Sequence, residues 1–524
     1  MPVVCEGSAV ESTRVMGVMI RHSGLVLTAL LAFALLFAPL PFGGVTPWAE
    51  SALRMLCFLA LAAAALAAER LSSLRPAAVP AAALAAVALL ALLQAAPLPP
   101  ALVALLSPQH AALERQAAGV VAGAEVAPPR LTLAATATRS AALGWAAAAA
   151  AFLAAAAAGG RREHRRVLMG AVLAAALFQA FFGTRAWFAH TASLWGVELH
   201  NAATSSRLRG TFVNPNHLGL YLEIALPVAF AWLWWAARRA RDTAAVERRL
   251  LLLAAPVLIW LTLFAGLSLT GSRAGLLAAM GAVTVQGLLV AQARRRWWMA
   301  PLGALVALGA LTLVAAAGMK EGLNRLLATS ATDVSLGGRL EEYRAALRLW
   351  ARFPLTGSGL GTFRDGFPLV QTASLQGSWW HPHCDFLEVL VTAGVVGAAL
   401  VAAGLWALVR QSGRVLREGS RSEDRAAGLA ALGILFSVGV HECLDFGLTM
   451  PANAVTAAIL LGAVTAAKTR GASAQDGRAG NDLLRVDDLQ DVEAAPERHR
   501  QAKGGRRSRR RRHGEGSQAG AVQA

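Results

Sequence analysis

The chain is short of charge. Only 15% of its 524 residues are Asp, Glu, Lys or Arg, while 56% are hydrophobic; a soluble domain of that length carries more charge. It is short of cysteine as well: Cys5, Cys57, Cys384 and Cys443 are too few and too scattered for a disulfide framework. It lacks the alternation of apolar and polar residues that builds a transmembrane barrel, because its apolar residues come in continuous runs. It has no internal repeat. Its one phosphate-loop lookalike, "GSGLGTF" from Gly357 to Phe363, follows no strand and lacks the Lys-Ser/Thr that completes such a loop, so it reads as a Gly-rich turn.

What is present is apolar length. Runs of roughly 18–22 residues match the helix needed to cross a bilayer. They lie near 24–41, 51–68, 77–96, 141–158, 166–183, 217–236, 250–268, 274–292, 297–317, 385–409, 426–446 and 452–467. The expectation is an all-α polytopic membrane protein with about 12 transmembrane helices. The span at 141–158 is almost all alanine, the weakest apolar signal of the set. The run at 24–41 lacks a small-residue cleavage site and leads straight into further spans, so it reads as an anchor rather than a signal peptide.

Charge then sets orientation. The net charge is +18, and the basic residues crowd alternate loops: Arg70 and Arg75, "RREHRR" at 161–166, 238–249, 294–296, 410–425 and the tail. By the positive-inside rule both termini are cytoplasmic. Segments 97–140, 184–216 and 318–384 then face outward. The expected organisation is a cytoplasmic N-terminus (1–23), N-terminal membrane helices (24–200), a catalytic membrane region (201–468) and a basic cytoplasmic tail (469–524). That tail reads as a solvated segment near anionic lipid headgroups, with no nucleic-acid partner. In the longest outward segment, "RLEEYRAALRLWARFP" predicts an amphipathic helix. Leu340, Tyr343, Leu347 and Trp350 form its apolar stripe, to lie on the membrane surface. Arg344, Arg348 and Arg352 form a basic one, and Pro354 ends it.

Polar residues collect on the outward face. "SSRLRGTFVNPNHLGLYLE" carries Arg207, Arg209, Asn214, Asn216 and His217; "SLTGSRAG" carries Arg273 in a tight turn; Arg339 opens the loop helix; "HPHCDFLEVL" carries His381, His383, Cys384, Asp385 and Glu388. An arginine at a bilayer centre costs about 2.5–3.5 kcal/mol on insertion scales, so Arg273 belongs at the surface or in a polar cavity. Guanidinium forks bind phosphate bidentately, and a histidine beside them suits general base catalysis. Plainer readings stand beside these: arginines that snorkel to headgroups, and an "NPN" that is only a turn and helix cap. A zinc site from His381, His383, Cys384, His441 and Cys443 matches no common spacing, and no metal is expected. A Cys384–Cys443 disulfide is topologically allowed.

Together "RGTFVNPNHLGLYL", "SLTGSRAGLLA", "GRLEEYRAALRLWARFPLTGSGLGTF", "HPHCDFLEVLVTAGVVG" and "HECLDFGLTMPANA" resemble, in order, the O-antigen ligase and polymerase superfamily of bacterial inner-membrane glycosyltransferases. The resemblance covers roughly residues 200–465. It implies transfer of glycan from an undecaprenyl-diphosphate carrier to an acceptor hydroxyl on the periplasmic side, with no cofactor. The family's ligase pattern is His, then Asn, Ser or Gln, nine residues, Gly, two residues, Gly. Here His383, Gly394 and Gly397 keep the spacing, and Cys384 departs from the second position. The resemblance implies His383 as base and Arg273 as essential outer arginine, with Arg209, Arg207, Arg339 and Asn216 as substrate contacts. The lead expectation is a ligase joining glycan to lipid A core. A repeat-unit polymerase is the alternative within the family. A transporter is the rival from another class, and it would want ionisable residues at mid-membrane, where the sequence offers only Glu223.

Overall fold

The computed structural model describes residues 23–67, 71–120, 128–191, 193–198, 207–293, 308–309, 312 and 334–469. The expected span at 297–317 falls almost wholly outside them, as does the basic tail. In chain order the helices are α1 (Ser23–Phe37), α2 (Pro47–Ala67), α3 (Ala78–Ala95), α4 (Pro100–Leu106), α5 (Pro108–Val120), α6 (Ala135–Gly159) and α7 (Arg162–Phe188). They continue with α8 (Pro215–Arg241), α9 (Val246–Leu269), α10 (Arg273–Ala293), α11 (Val334–Arg352), α12 (Phe363–Gly366), α13 (Asp385–Glu418), α14 (Ser422–Glu442) and α15 (Pro451–Thr465). The one sheet among the described residues is a hairpin, β1 (Ser193–Leu194) paired antiparallel with β2 (Val197–Glu198). Among the described residues, eight helices are long and apolar enough to cross a membrane; α1 and α15 are shorter apolar helices. Many of their large apolar side chains point outward, such as Leu66, Phe181 and Leu251, as helices in lipid allow.

The alanine-rich α6 is a continuous helix of 25 residues. Its alanines are not spent on lipid. Ala149, Ala150, Ala151, Ala154, Ala155 and Ala156 are buried against α2, α3 and α15. Backbones meet there: a Cβ on Gly159 would lie 2.1 Å from the Ala463 carbonyl oxygen, and one on Gly462 would lie 2.3 Å from that of Phe152. Small residues permit this close helix crossing, which compensates for weak hydrophobicity.

Two polar ends emerge. At one, the loops predicted to share the basic side are joined: Arg162 reaches Asp424 at 2.8 Å, Arg165 pairs with the same carboxylate, and Arg166 pairs with Glu423. Asp424 also accepts from the Arg421 N–H at 3.1 Å, which caps α14. Arg238 and Arg239, in the last turn of α8, stack over Trp234 and Trp235, and Arg410 stacks over Trp406 in the second half of α13. The other end gathers 207–216, 268–273, 339–384 and 441–450.

At that second end α13 is broken. Gly394 (φ 65°, ψ −169°) interrupts the helix, and a Cβ there would meet the Leu355 carbonyl oxygen at 2.3 Å. The Gly-rich turn docks into the break. Ser358 N–H donates to Val391 O at 3.0 Å, Gly359 N–H to Thr392 O at 3.0 Å, and Val395 N–H to Pro354 O at 3.0 Å. Gln94 fastens the joint from α3, donating to Thr356 O at 2.6 Å and Thr392 O at 3.0 Å while accepting from Leu360 N–H at 3.0 Å. "GSGLGTF" is thus the wedge that holds a helix open, and the Gly394 of the histidine–glycine spacing is its seat.

Helix α11 begins at Val334, so Arg339 lies within it rather than opening it, and its expected stripe is covered only in part: Tyr343 and Trp350 are half-buried. Glu342, Ala345, Ala346, Leu349 and Phe353 are buried, whereas Leu340 and Leu347 are 56% and 44% exposed. Ala345, Ala346 and Leu349 pack with Phe353, Phe363, Phe367 and Val391. The expected stripe followed the larger side chains; the two alanines let α11 approach its neighbours more closely than leucines would. Arg344, Arg348 and Arg352 are exposed as expected.

Candidate active site

The site is built from three chain segments that meet on one aromatic ring, Phe446. His381 stacks on it with ring centroids 5.0 Å apart, His383 meets it edge-on at 5.2 Å, and His217 at 5.0 Å. Phe446 lies between α14 and α15. That loop is pinned from all sides: Asp385 accepts from Leu448 N–H at 3.0 Å, Glu442 from Gly447 N–H at 2.9 Å, and Asn453 donates to Gly447 O at 3.0 Å.

His383 precedes α13 and is 29% exposed through its side chain. Its Nδ1 lies 3.1 Å from Oε2 of Glu342, a fully buried carboxylate on α11. With Glu342 ionised, its carboxylate accepts from Nδ1–H and Nε2 is the basic atom. Tyr343 donates to the His383 carbonyl at 2.5 Å, and Trp379 meets the ring edge-on at 5.9 Å. The imidazole is therefore held on one nitrogen, its backbone and two ring contacts. Burial pushes the Glu342 carboxyl above its ordinary range, and His383 pulls it part of the way back. His381 has a partner of its own, with Nδ1 2.9 Å from Glu388 on α13.

A second network links the cationic residues. Arg207 donates through Nε to Thr270 O at 2.6 Å and through Nη2 to the Asn216 carbonyl oxygen. Asn216 passes this on, donating at 2.7 Å to Asp445. Asp445 is 2% exposed. Burial alone would raise its carboxyl, but His441, Arg339, His217 and His383 surround it and hold it below the ordinary value. Arg339 donates to Leu444 O at 3.0 Å beside it. Asn214 caps α8, accepting from Asn216 N–H at 2.9 Å, and its amide lies 3.5 Å from His217 Nε2. The cap reading of "NPN" thus holds for its first asparagine and not its second.

The structure accordingly gathers His383, Arg207, Asn216 and Arg339 around Asp445 and Phe446. Arg209 and Arg273 are half-buried on the Arg207 side of this network. Leu208 N–H bonds Leu269 O at 2.9 Å, which aligns the Arg207–Arg209 segment with the turn that leads into Arg273 at the start of α10. Cys384 and Cys443 are both free thiols. Among the described residues no three His, Cys, Asp or Glu side chains are placed to hold a metal ion, so the zinc arrangement finds no geometry there. Glu223, the candidate mid-membrane charge, is fully buried and bonded to His441 at 2.8 Å and Ser437 at 3.1 Å.

Residues 257–402 match the family model described as O-antigen ligase. Over this stretch the chain is similar to the O-antigen ligase superfamily. No curated protein matches it. The matched O-antigen ligase region holds Arg273, Arg339, Glu342, both histidines of "HPH" and the Gly394 break. Arg207, Asn216, Asp445 and Phe446 fall outside it and complete the site from the flanking segments. That similarity supports glycosyl-transfer chemistry on lipid-linked glycans in general, and the long apolar helices agree with an integral membrane setting.

Sequence reasoning missed Glu342, Asp445 and Phe446. All three stand in quoted motifs, "RLEEYR" and "HECLDF". Their partners lie 41, 229 and 63 residues away at His383, Asn216 and the His383–Phe446 ring contact, beyond the reach of local periodicity.

Proposed function

We propose that the chain is a metal-independent, inverting glycosyltransferase of the O-antigen ligase type, carrying glycan from undecaprenyl diphosphate to a hydroxyl of lipid A core on the periplasmic side of the bacterial inner membrane. The observation that supports this best is the buried Glu342 carboxylate on His383 Nδ1, which leaves Nε2 to take a proton. The acceptor O–H gives its proton to His383 as its oxygen attacks the anomeric carbon. The bond from that carbon to the phosphate oxygen breaks, and the electron pair leaves with the diphosphate. Arg273 and Arg209 stabilise the departing charge. Arg207 and Arg339, held by Asn216 and Asp445, bind the donor's phosphates beside them.

The test is a deletion strain analysed for lipid-linked and surface glycan. Long carrier-linked chains that fail to reach the surface support the ligase; single carrier-linked repeats show a polymerase instead. Unchanged glycan in both pools overturns the transferase reading and returns the transporter class.

A further inference from the structure

His381 takes no part in the chemistry above, yet the fold treats it like His383. Both imidazoles touch Phe446. Each is held through Nδ1 by a glutamate from a different helix: His381 by Glu388 at 2.9 Å, His383 by Glu342 at 3.1 Å. Their side chains are 28% and 29% exposed, so each ring is tethered at one nitrogen and partly open.

We propose that His381 is a phosphate-binding residue of the donor subsite: its imidazolium donates through Nε2 to an oxygen of the diphosphate that leaves as His383 takes the acceptor proton. The inference rests on the transferase reading of the preceding section. Carboxylates dominate the surroundings of His381. Glu388 and Asp385 face it from α13, and they keep its imidazole protonated to higher pH than usual although burial opposes this. His217, from α8, is the positive-capable neighbour that senses its charge. A cation built beside a base divides the labour of one reaction: the base needs an empty nitrogen, and the leaving group needs a donor. The flat stack on Phe446, with planes 21° apart, fixes the direction in which Nε2 points.

The experiment uses the full chain in detergent and inorganic pyrophosphate as probe, with binding measured calorimetrically. His381→Gln, checked for unchanged melting temperature, is expected to weaken pyrophosphate binding about tenfold, the order of one charge-assisted hydrogen bond. Glu388→Gln keeps the ring and removes its carboxylate, and is expected to weaken binding a few-fold. Wild-type affinity falls more steeply than that of His381→Gln between pH 6 and 8.5. His383→Gln is expected to bind pyrophosphate normally and to transfer no glycan. Phosphatidylglycerol vesicles at equal phosphate are expected not to compete. Unchanged affinity in a folded His381→Gln overturns the inference while leaving the base reading intact. Competition by the vesicles overturns it too, assigning the site to lipid headgroups. Glycan transfer by His383→Gln would overturn the base reading instead.

Discussion

Glu342→Gln is the sharpest perturbation of the site. The glutamine keeps the volume of a fully buried side chain and leaves an amide oxygen to accept from His383 Nδ1, so the ring keeps its pose. What it removes is the negative charge facing a ring that becomes an imidazolium as the acceptor proton arrives. A hydrogen bond to a charged partner is worth about 1.5–3 kcal/mol and the neutral one that replaces it about 0.5–1.5, so the loss is about 1–1.5 kcal/mol. At about 1.36 kcal/mol per tenfold, kcat falls by roughly 5- to 13-fold. The loss is confined to the transition state, so KM for donor and acceptor stays within about twofold. Glu342→Ala falls further, because it also opens a buried cavity beside Ala345 and Leu349. The assay is steady-state transfer by purified protein, with each substrate varied separately. A folded Glu342→Gln enzyme with kcat within twofold of wild type, or one that loses only KM, would refute the orienting role.

Gly394→Ala forces a Cβ into the Leu355 carbonyl at a positive φ and is expected to destabilise by at least about 1–3 kcal/mol, read as a lower melting temperature with loss of the Gln94-pinned turn. Asp424→Ala leaves Arg165, 2% exposed, with no carboxylate and is expected to cost about 3–5 kcal/mol while kcat of the surviving folded fraction holds. The depressed Asp445 carboxyl gives stability that is present above its ordinary value of 3.8 and lost as pH falls through the lower folded value; an Asp445→Asn variant should therefore melt lower than wild type at pH 7, with the gap closing on acidification below pH 3.8. The raised His381 works the other way: its stabilisation is complete below 6.5 and fades as pH rises through the folded value, a decline that His381→Gln should lack. Removal of residues 470–524 is expected to leave transfer unchanged.

Composition, run length and loop charge were enough to read an all-helical membrane protein, and the basic loops at 161–166 and 410–425 do meet through Arg162, Arg165 and Asp424. Run length reads apolar area, so it undervalued what depends on small size. The alanines of α6 and the Ala345–Ala346 face of α11 bury well because they let backbones approach. The same blindness concerns Gly394, whose spacing was visible but whose meaning, a broken helix wedged by Gly357–Phe363, was not. At the candidate site, His383 and Asn216 stood out because each stands in a motif whose residue types suit the proposed chemistry. Their partners Glu342 and Asp445 looked like ordinary helix-end carboxylates. Only the fold shows that one lies on Nδ1 of His383 and the other accepts from Asn216.

The central claim is that His383 takes the proton of an acceptor hydroxyl as glycan leaves its diphosphate carrier. Single-turnover transfer with purified protein, undecaprenyl-diphosphate-linked glycan and lipid A core tests it most directly. With His383→Ala, rate loss of about 10²–10⁴-fold is expected while the donor still binds, and a product of inverted anomeric configuration is expected from the wild type. Wild-type rates from His383→Ala, or a product of retained configuration, would contradict the account.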